Sequence, residues 1–419
     1  MKDLAGNASY LIRLFAVVAT GLAAGLAGMA LGLILHTVQH YAFGYSMSHV
    51  IGTVSFLQGV TDSSSLRRIA AIMAGGVIAG FGWWLLSRYG KPRVSIKDAA
   101  SVTSRVMPSG TTTVHALLQI ITVALGSPLG REVAPREMGA LAGSAIARRL
   151  GLNEDEVRIL IACGAGAGLA AVYNVPLAGA LFTLEVLLIS FSWEKAFSAI
   201  VTSSVAAWIA TFGLGNESQY HFVSVVLPHT FILWACLAGP LLGLAAWGFR
   251  FITGKARAGV KSNWQMPVIC LIAFATLAVL SLYYPQLPGN GKGPMQMAIS
   301  DELDYRHAAI LLGLKLLVIL AVLRGGAEGG LLTPALAVGG LLSLLLCAGW
   351  QFIFPGGNAS SFALVGGAAF LAASMQMPIT AVVLVTEFTQ MEHSYFVPVL
   401  LCTAGSYLTC RILDGKYRY

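Results

Sequence analysis

Charge is the scarcest thing in this chain. Of 419 residues only 11% are charged, with 26 Lys and Arg against 18 Asp and Glu. A soluble globular domain carries about 25%, so a soluble enzyme is a poor fit from the outset. Paired cysteines are absent as well. Cys163, Cys236, Cys270, Cys347, Cys402 and Cys410 are scattered singly through apolar segments, with no CxxC spacing. They read as small core residues, not as disulfides or metal ligands. The eight histidines show no HExxH-like spacing. No nucleotide-binding motif occurs, which argues against an ATP-driven pump. The N-terminus lacks the short apolar core and small-residue cleavage site of a secretory leader, so the first apolar run is expected to be retained. No nucleophile–base pair stands out either, and neither an enzyme nor a metal or cofactor site is expected.

What remains is a chain that is 57% hydrophobic, with a mean hydropathy of +0.76. Apolar runs recur at 14–35, 69–86, 231–249, 266–282 and 310–323. Runs of this length suit a bilayer crossing, and a multispanning helical membrane protein is expected. The net charge of +8 sits in short basic stretches: Arg67-Arg68, "RYGKPRVSIK" (88–97), Arg148-Arg149, "RFITGKARAGVK" (250–261) and "RILDGKYRY" (411–419). Such loops hold topology from the cytoplasmic side. Membrane lipid is therefore an expected partner and nucleic acid is not.

The chain also repeats itself. "GAGAGLAAVYNVPLAGALFTLEV" (164–186) aligns without a gap on "GGAAFLAASMQMPITAVVLVTEF" (366–388), 202 residues on. Gly164 matches Gly366, Pro176 matches Pro378 and Glu185 matches Glu387. Upstream, "GREVAP" (130–135) and "GGLLTP" (329–334) each carry a glycine five residues before a proline, 199 residues apart. One transport domain over 1–419 is expected, with a first repeat over about 10–215 and a second over about 226–415, joined near the polar "GNESQYH" (215–221). Two halves with matching broken segments are a transporter signature. The pieces at 137–149, 158–171, 176–190, 360–373 and 378–389 are mostly too short or too interrupted to span alone. Irregular backbone at membrane depth must be buried in protein or line a cavity.

"GREVAP" then raises a physical question, because charges at membrane depth are expensive. Gly130 permits tight backbone geometry, and Pro135 suits a first helical turn. Arg131 and Glu132 thus stand where a helix begins. Helix starts present N–H groups and a positive dipole end, and they bind anions. "GGLLTP" is built the same way. Glu132, itself an anion, can occupy such a site in place of a mobile ion and release it on protonation. The plainer alternative is a loop ion pair between Arg131 and Glu132.

These residues resemble the CLC family of chloride channels and chloride/proton antiporters, nearest its short bacterial branch without regulatory domains. "GREVAP" resembles the family's GREGP motif, "GGLLTPALAVGG" its GGxFxP motif, and residues 164–186 its GxxAGLAAxFNAPLAGxLFxxE segment. "DGKYR" (414–418) resembles the tail that carries the family's central tyrosine. The likeness runs from about residue 15 to the C-terminus. It implies an all-α membrane protein of CLC type, with about eighteen short tilted helices in two inverted repeats. It also implies a multi-pass protein of the cell (inner) membrane, usually a homodimer with one pore per subunit. In the site it implies Glu132 as the gate and anion contacts around Gly130, Arg131, Leu331 and Leu332. Tyr417 becomes the hydroxyl facing the central anion, with Tyr419 as the alternative.

Departures from the family pattern bear on function. The GSGIP motif with its anion-contacting serine is missing. "GKPRVS" (90–95) stands in its place, which puts Lys91 near the serine position with Arg93 close by, or, with a shift of one or two residues, Ser95 as the polar contact instead. Lys91 and Arg93 also fit a plain cytoplasmic basic loop. Val133 and Ala134 replace the residues after the gating glutamate, and Leu332 replaces a phenylalanine. The antiporters carry two consecutive glutamates where this chain has Glu185 and Val186, and valine cannot carry a proton. On an α-helix Glu185 points about 100° away from Val186, toward a helix or subunit contact. The expected function is chloride or small-anion transport, channel-like or weakly coupled to protons. The alternatives are a fluoride/proton antiporter of the same superfamily and, of another class, a cation-coupled transporter of a small organic substrate.

Overall fold

Lipid offers no hydrogen-bond partners, so a spanning chain must satisfy its backbone internally, most simply as helix. The computed structural model describes residues 2–45, 54–101 and 105–415, with side chains from residue 10 onward. Seventeen α-helices occur among the described residues. The first five are α1 (Lys2–Phe43), α2 (Phe56–Asp62), α3 (Ser65–Tyr89), α4 (Ile96–Ala99) and α5 (Ser109–Ala124). Next come α6 (Val133–Arg149), α7 (Glu154–Tyr173), α8 (Pro176–Phe182), α9 (Trp193–Leu214), α10 (Thr230–Ala258) and α11 (Gln265–Tyr283). Then follow α12 (Lys292–Ile299), α13 (Tyr305–Arg324), α14 (Leu332–Ile353), α15 (Ala359–Met375), α16 (Pro378–Thr389) and α17 (Phe396–Leu413). Nine helices among the described residues are long and apolar enough to cross a membrane. All five apolar runs read from the sequence lie within them. One expectation needs correcting: residues 158–171 belong to α7, a 20-residue helix long enough to span.

The chain forms two compact units, one of residues 1–34, 89–120 and 132–217, the other of residues 35–88, 121–131 and 218–419. In the first, small residues let helices approach to backbone contact. A Cβ on Gly139 of α6 would overlap the carbonyl oxygen of Gly164 on α7, and one on Gly143 would overlap that of Leu160. Gly21 and Gly25 of α1 meet Thr202 and Ala206 of α9 in the same way. Ala24, Ala167, Ala171, Ala206 and Ala210 fill the gap between these helices. The start of α7 is fixed locally by a capping box, in which Asn153 Oδ1 accepts from the Glu156 N–H at 3.0 Å and Glu156 Oε2 accepts from the Asn153 N–H at 2.9 Å. Such a box satisfies two donors that a helix start leaves open.

In the second unit, α10 crosses α17 where Gly239 meets Cys402 and Gly243 meets Ser406. Two stretches outside helices, at Gly126 and at Leu287–Gly289, are held in place by the chain itself. Gly289, at φ +80°, donates its N–H to the carbonyl of Gly126, itself at φ +105°, at 2.9 Å. Fully buried Lys315 of α13 donates to the carbonyls of Leu287 at 2.8 Å and Gly289 at 2.6 Å. Buried Arg68 of α3 similarly donates to the carbonyl of Ser281 at 2.7 Å. These cations replace the water that a loop would otherwise need.

The repeated segments break alike. α7 ends at Asn174 with φ +56°, and α15 ends at Gln376 with φ +56°. Behind each break a residue donates back to a helix carbonyl, Val175 to Ala170 and Met377 to Ala372, both at 3.1 Å. Proline then opens the next helix at Pro176 and at Pro378.

The α6–α7 crossing gives a direct test. Gly139→Val puts a branched side chain into the Gly164 carbonyl, a backbone clash costing more than the 1–3 kcal/mol of ordinary overpacking. Gel filtration in detergent should show aggregated or degraded protein. Gly248→Ala on α10, where an added Cβ meets open space, should leave a monodisperse peak.

Candidate functional site

Glu132 precedes the first turn of α6 as its capping residue, yet its side chain makes no capping hydrogen bond. It is 1% exposed. Its Oε2 accepts from the hydroxyl of Tyr173, the last residue of α7, at 3.2 Å. The α6–α7 crossing makes this meeting possible. Pro135 faces Gly168, Gly139 faces Gly164 and Gly143 faces Leu160. This antiparallel register carries Tyr173 to the start of α6.

In the second unit, Gly130 and Gly330 form a two-residue antiparallel bridge, donating to each other's carbonyls at 2.7 and 2.9 Å. Gly130 thus serves by pairing, whereas the left-handed turn just upstream belongs to Gly126. Leu331 caps α14 at φ −119° and ψ 9°, and Leu332 opens it, 4% exposed. The guanidinium of Arg257 donates to the carbonyl of Gly329 at 2.8 Å and braces the approach to this helix. Glu132 and Leu331, the two capping residues, stand 199 residues apart, the spacing of the two glycine–proline motifs. Arg131 is partly buried.

The segment 90–95 is held differently from a helix start aimed inward. The Lys91 side chain is exposed, and its backbone N–H donates to Thr111 Oγ1 at 3.1 Å. Ser95 caps the short α4 by accepting from the Asp98 N–H at 3.1 Å. Arg93 reaches inward to His115.

Glu185 and Val186 are both partly buried, in a π-helical turn over Thr183–Leu188. This corrects the α-helical geometry expected there, since a π turn bonds i to i+5 and rotates less per residue. Thr183 Oγ1 anchors the turn by donating to the carbonyls of Gly179 at 3.0 Å and Ala162 at 3.3 Å. Tyr417 and its alternative Tyr419 lie outside the described residues. Just before them, Asp414 accepts from Arg250 at 2.7 Å.

Two features escaped the sequence reading. Tyr173 lay inside the repeated segment with nothing to mark its hydroxyl. His115, Gln119 and Glu137 form a polar cluster, with His115 Nδ1 and Gln119 Nε2 at 2.8 and 3.2 Å from Glu137 Oε2. The available signal was a histidine and a glutamine four residues apart in an apolar stretch, which places them on one helix face. No group of three or more metal-ligating side chains occurs among the described residues.

A multi-pass helical membrane protein with broken interior helices and an ionisable residue at a buried helix start is a membrane transport protein in architecture. A family model described as voltage gated chloride channel matches residues 70–411, and the chain belongs to that family. It is 31% identical to the voltage-gated ClC-type chloride channel ClcB of Citrobacter koseri, over 87% of this chain and 90% of the relative. It is 27% identical to the H(+)/Cl(−) exchange transporter ClcA of Cronobacter sakazakii, over 96% and 86%. Among solved structures, a slow cyanobacterial Cl−/H+ antiporter superposes with a TM-score of 0.83 at 19% identity, covering 97% of this chain and 95% of that one. A CLC-type fluoride/proton antiporter gives 0.66 at 19% identity, covering 95% and 96%. The fold is that of CLC transporters.

The Tyr173–Glu132 contact is measurable. A hydrogen bond to a charged acceptor is worth about 1.5–3 kcal/mol. A double-mutant cycle of Tyr173→Phe and Glu132→Gln, read by chemical unfolding in detergent, should give a coupling energy above about 1 kcal/mol. Additivity within about 0.5 kcal/mol would mean the two groups are not bonded in solution.

Proposed function

We propose that this protein carries chloride across the cell membrane through a pathway gated by Glu132. One observation carries the reading: a carboxylate 1% exposed at the start of an interior helix, held by Tyr173 instead of capping its own helix. A helix start attracts anions, so this carboxylate competes with a mobile anion until it is protonated or moves. The anion contacts are the backbone at Gly130, Arg131, Leu331 and Leu332, where first-turn N–H groups hold an anion without a full positive charge. Tyr417 supplies the hydroxyl at the central position. Lys91, exposed in a basic loop, holds topology and does not bind the ion. Membership of a family described by voltage gated chloride channels supports chloride as the anion. A homodimer in the bilayer and a twofold repeat belong to the same proposal. The 199-residue spacing of the helix starts and the matching breaks at Asn174 and Gln376 support the repeat.

Val186 has no titratable group, so proton coupling is weak and transport is channel-like. The "GKPRVS" departure favours a second reading, fluoride/proton antiport. A fluoride-tolerance assay in a fluoride-sensitive strain separates the two, since a chloride pathway confers no protection.

Chloride flux from purified protein in liposomes, with pH recorded at the same time, tests the gate. Glu132→Gln mimics the protonated carboxyl and Glu132→Ala empties the position. Both should conduct chloride and lose the pH dependence of flux. A wild-type pH profile in either variant would falsify the gate assignment. Lys91→Ser should leave anion binding by calorimetry within a factor of two. A loss beyond tenfold, about 1.4 kcal/mol, would make Lys91 a ligand.

A further inference from the structure

A cluster of ionisable side chains on α6 has no part in the gate described above. Glu137 lies five residues past Glu132, about 7.5 Å further along the helix axis at 1.5 Å per residue. Its carboxylate accepts from His115 and Gln119 of α5. The other ring nitrogen of His115, Nε2, meets the guanidinium of Arg93. Arginine only donates, so that nitrogen faces a donor, while Nδ1 lies 2.8 Å from Glu137 Oε2 and 2.9 Å from Gln119 Nε2. The carboxylate of the cluster is Glu137. It is also the accessible one, 15% exposed against 2% for His115.

The surroundings connect this carboxylate with Glu132. Arg136, next to it on α6, lies in the field of both Glu132 and Glu137 and packs over the ring of Phe182 at 4.3 Å. α7, packed along α6, faces this region with Gly and Ala. Its titratable groups are Tyr173 at the Glu132 end, Cys163 at mid-helix, and Glu154, Asp155, Glu156 and Arg158 at the far end. α6 ends in Arg148 and Arg149, and Arg93 belongs to the basic loop 88–97. Both mark the cytoplasmic side, so Glu137 stands between Glu132 and the cytoplasm. Ionisable groups at membrane depth mark ion and proton routes.

We propose that Glu137 is the proton-binding carboxylate on the cytoplasmic side of Glu132, with His115 and Gln119 as its positioning residues. A proton from cytoplasmic water forms an O–H bond on Glu137. That bond breaks as the proton passes through water to the carboxylate of Glu132, and Glu137 returns to its ionised form. One proton moves and no electrons do. Glu137 thus supplies the group that Val186 lacks, and the weak proton coupling of this chain runs through it. The inference rests on Glu132 being the gate.

The test is proton uptake by proteoliposomes under an imposed chloride gradient, with voltage clamped by valinomycin and potassium. Wild-type protein should take up protons against their gradient, at a low ratio to chloride. Glu137→Gln should lower that uptake at least tenfold while chloride still flows. Glu137→Asp should retain uptake, and His115→Gln should shift its pH profile, which a merely structural histidine would not do. In wild-type protein, dicyclohexylcarbodiimide, which couples to protonated carboxyls, should modify Glu137 more at low pH than at high pH, read by mass spectrometry. That measurement decides the matter if Glu137→Gln fails to fold. No proton uptake by wild type, full uptake by Glu137→Gln, or no pH-dependent adduct on Glu137 would each overturn the proposal. Failure of the gate shows separately, as Glu132→Gln keeping the wild-type pH dependence of chloride flux.

Discussion

The constraint on which the second unit depends is that backbone groups at membrane depth have no water to bond. Among the described residues, three of the stretches there that leave helical geometry lock together: 125–131, 284–291 and 325–331. Each is satisfied by another. Gly126 takes the N–H of Gly289, Gly130 exchanges both bonds with Gly330, and the carbonyls of Leu287 and Gly289 are taken by Lys315. The Gly329 carbonyl is taken by Arg257. The charges that looked anomalous in so apolar a chain therefore divide into two kinds. Lys315, Arg68 and Arg257 donate to backbone carbonyls. Glu132 does not cap its helix and accepts from the Tyr173 hydroxyl, which is why it and not these cations carries the functional reading.

The first unit obeys a different rule, close approach of helices through small side chains. Van der Waals contact and not the hydrophobic effect holds helices together in lipid, and it strengthens as backbones near one another. Gly139, Gly143, Gly164 and Gly168 bring α6 and α7 to backbone contact in one register. The consequence is chemical as well as mechanical. The same register that sets Gly143 on Leu160 at one end delivers Tyr173 to Glu132 at the other, so a packing motif fixes a partner of that buried carboxylate.

The polar cluster around Glu137 joins a loop and two helices through side chains alone. Arg93 meets one ring nitrogen of His115, and Glu137 meets the other. A cation from a surface loop is thereby linked through one imidazole to a carboxylate of α6.

Membrane class, helix type, the repeated helix starts and the identity of the buried glutamate were all legible in the residue order. They depend on local chemistry: apolar length, proline and glycine at helix boundaries, and a charge where charge is costly. The wide turn at Thr183–Leu188 was not legible, because Thr183 reaching the carbonyls of Gly179 and Ala162 decides it. The length of α7 was obscured by its glycines, which look like breaks in isolation but are contact points once α6 lies against them. Gly130 looked like a flexible residue and is a pairing one, because its partner is 200 residues away at Gly330. His115 and Glu137 looked like scattered polar residues, since their meeting requires α5 and α6 to be neighbours. Residue order determines what each segment is, because that depends on atoms close along the chain. Which polar groups share a proton or a carbonyl was decided by the tertiary structure alone, because a hydrogen bond reaches about 3 Å and only packing brings distant segments that near.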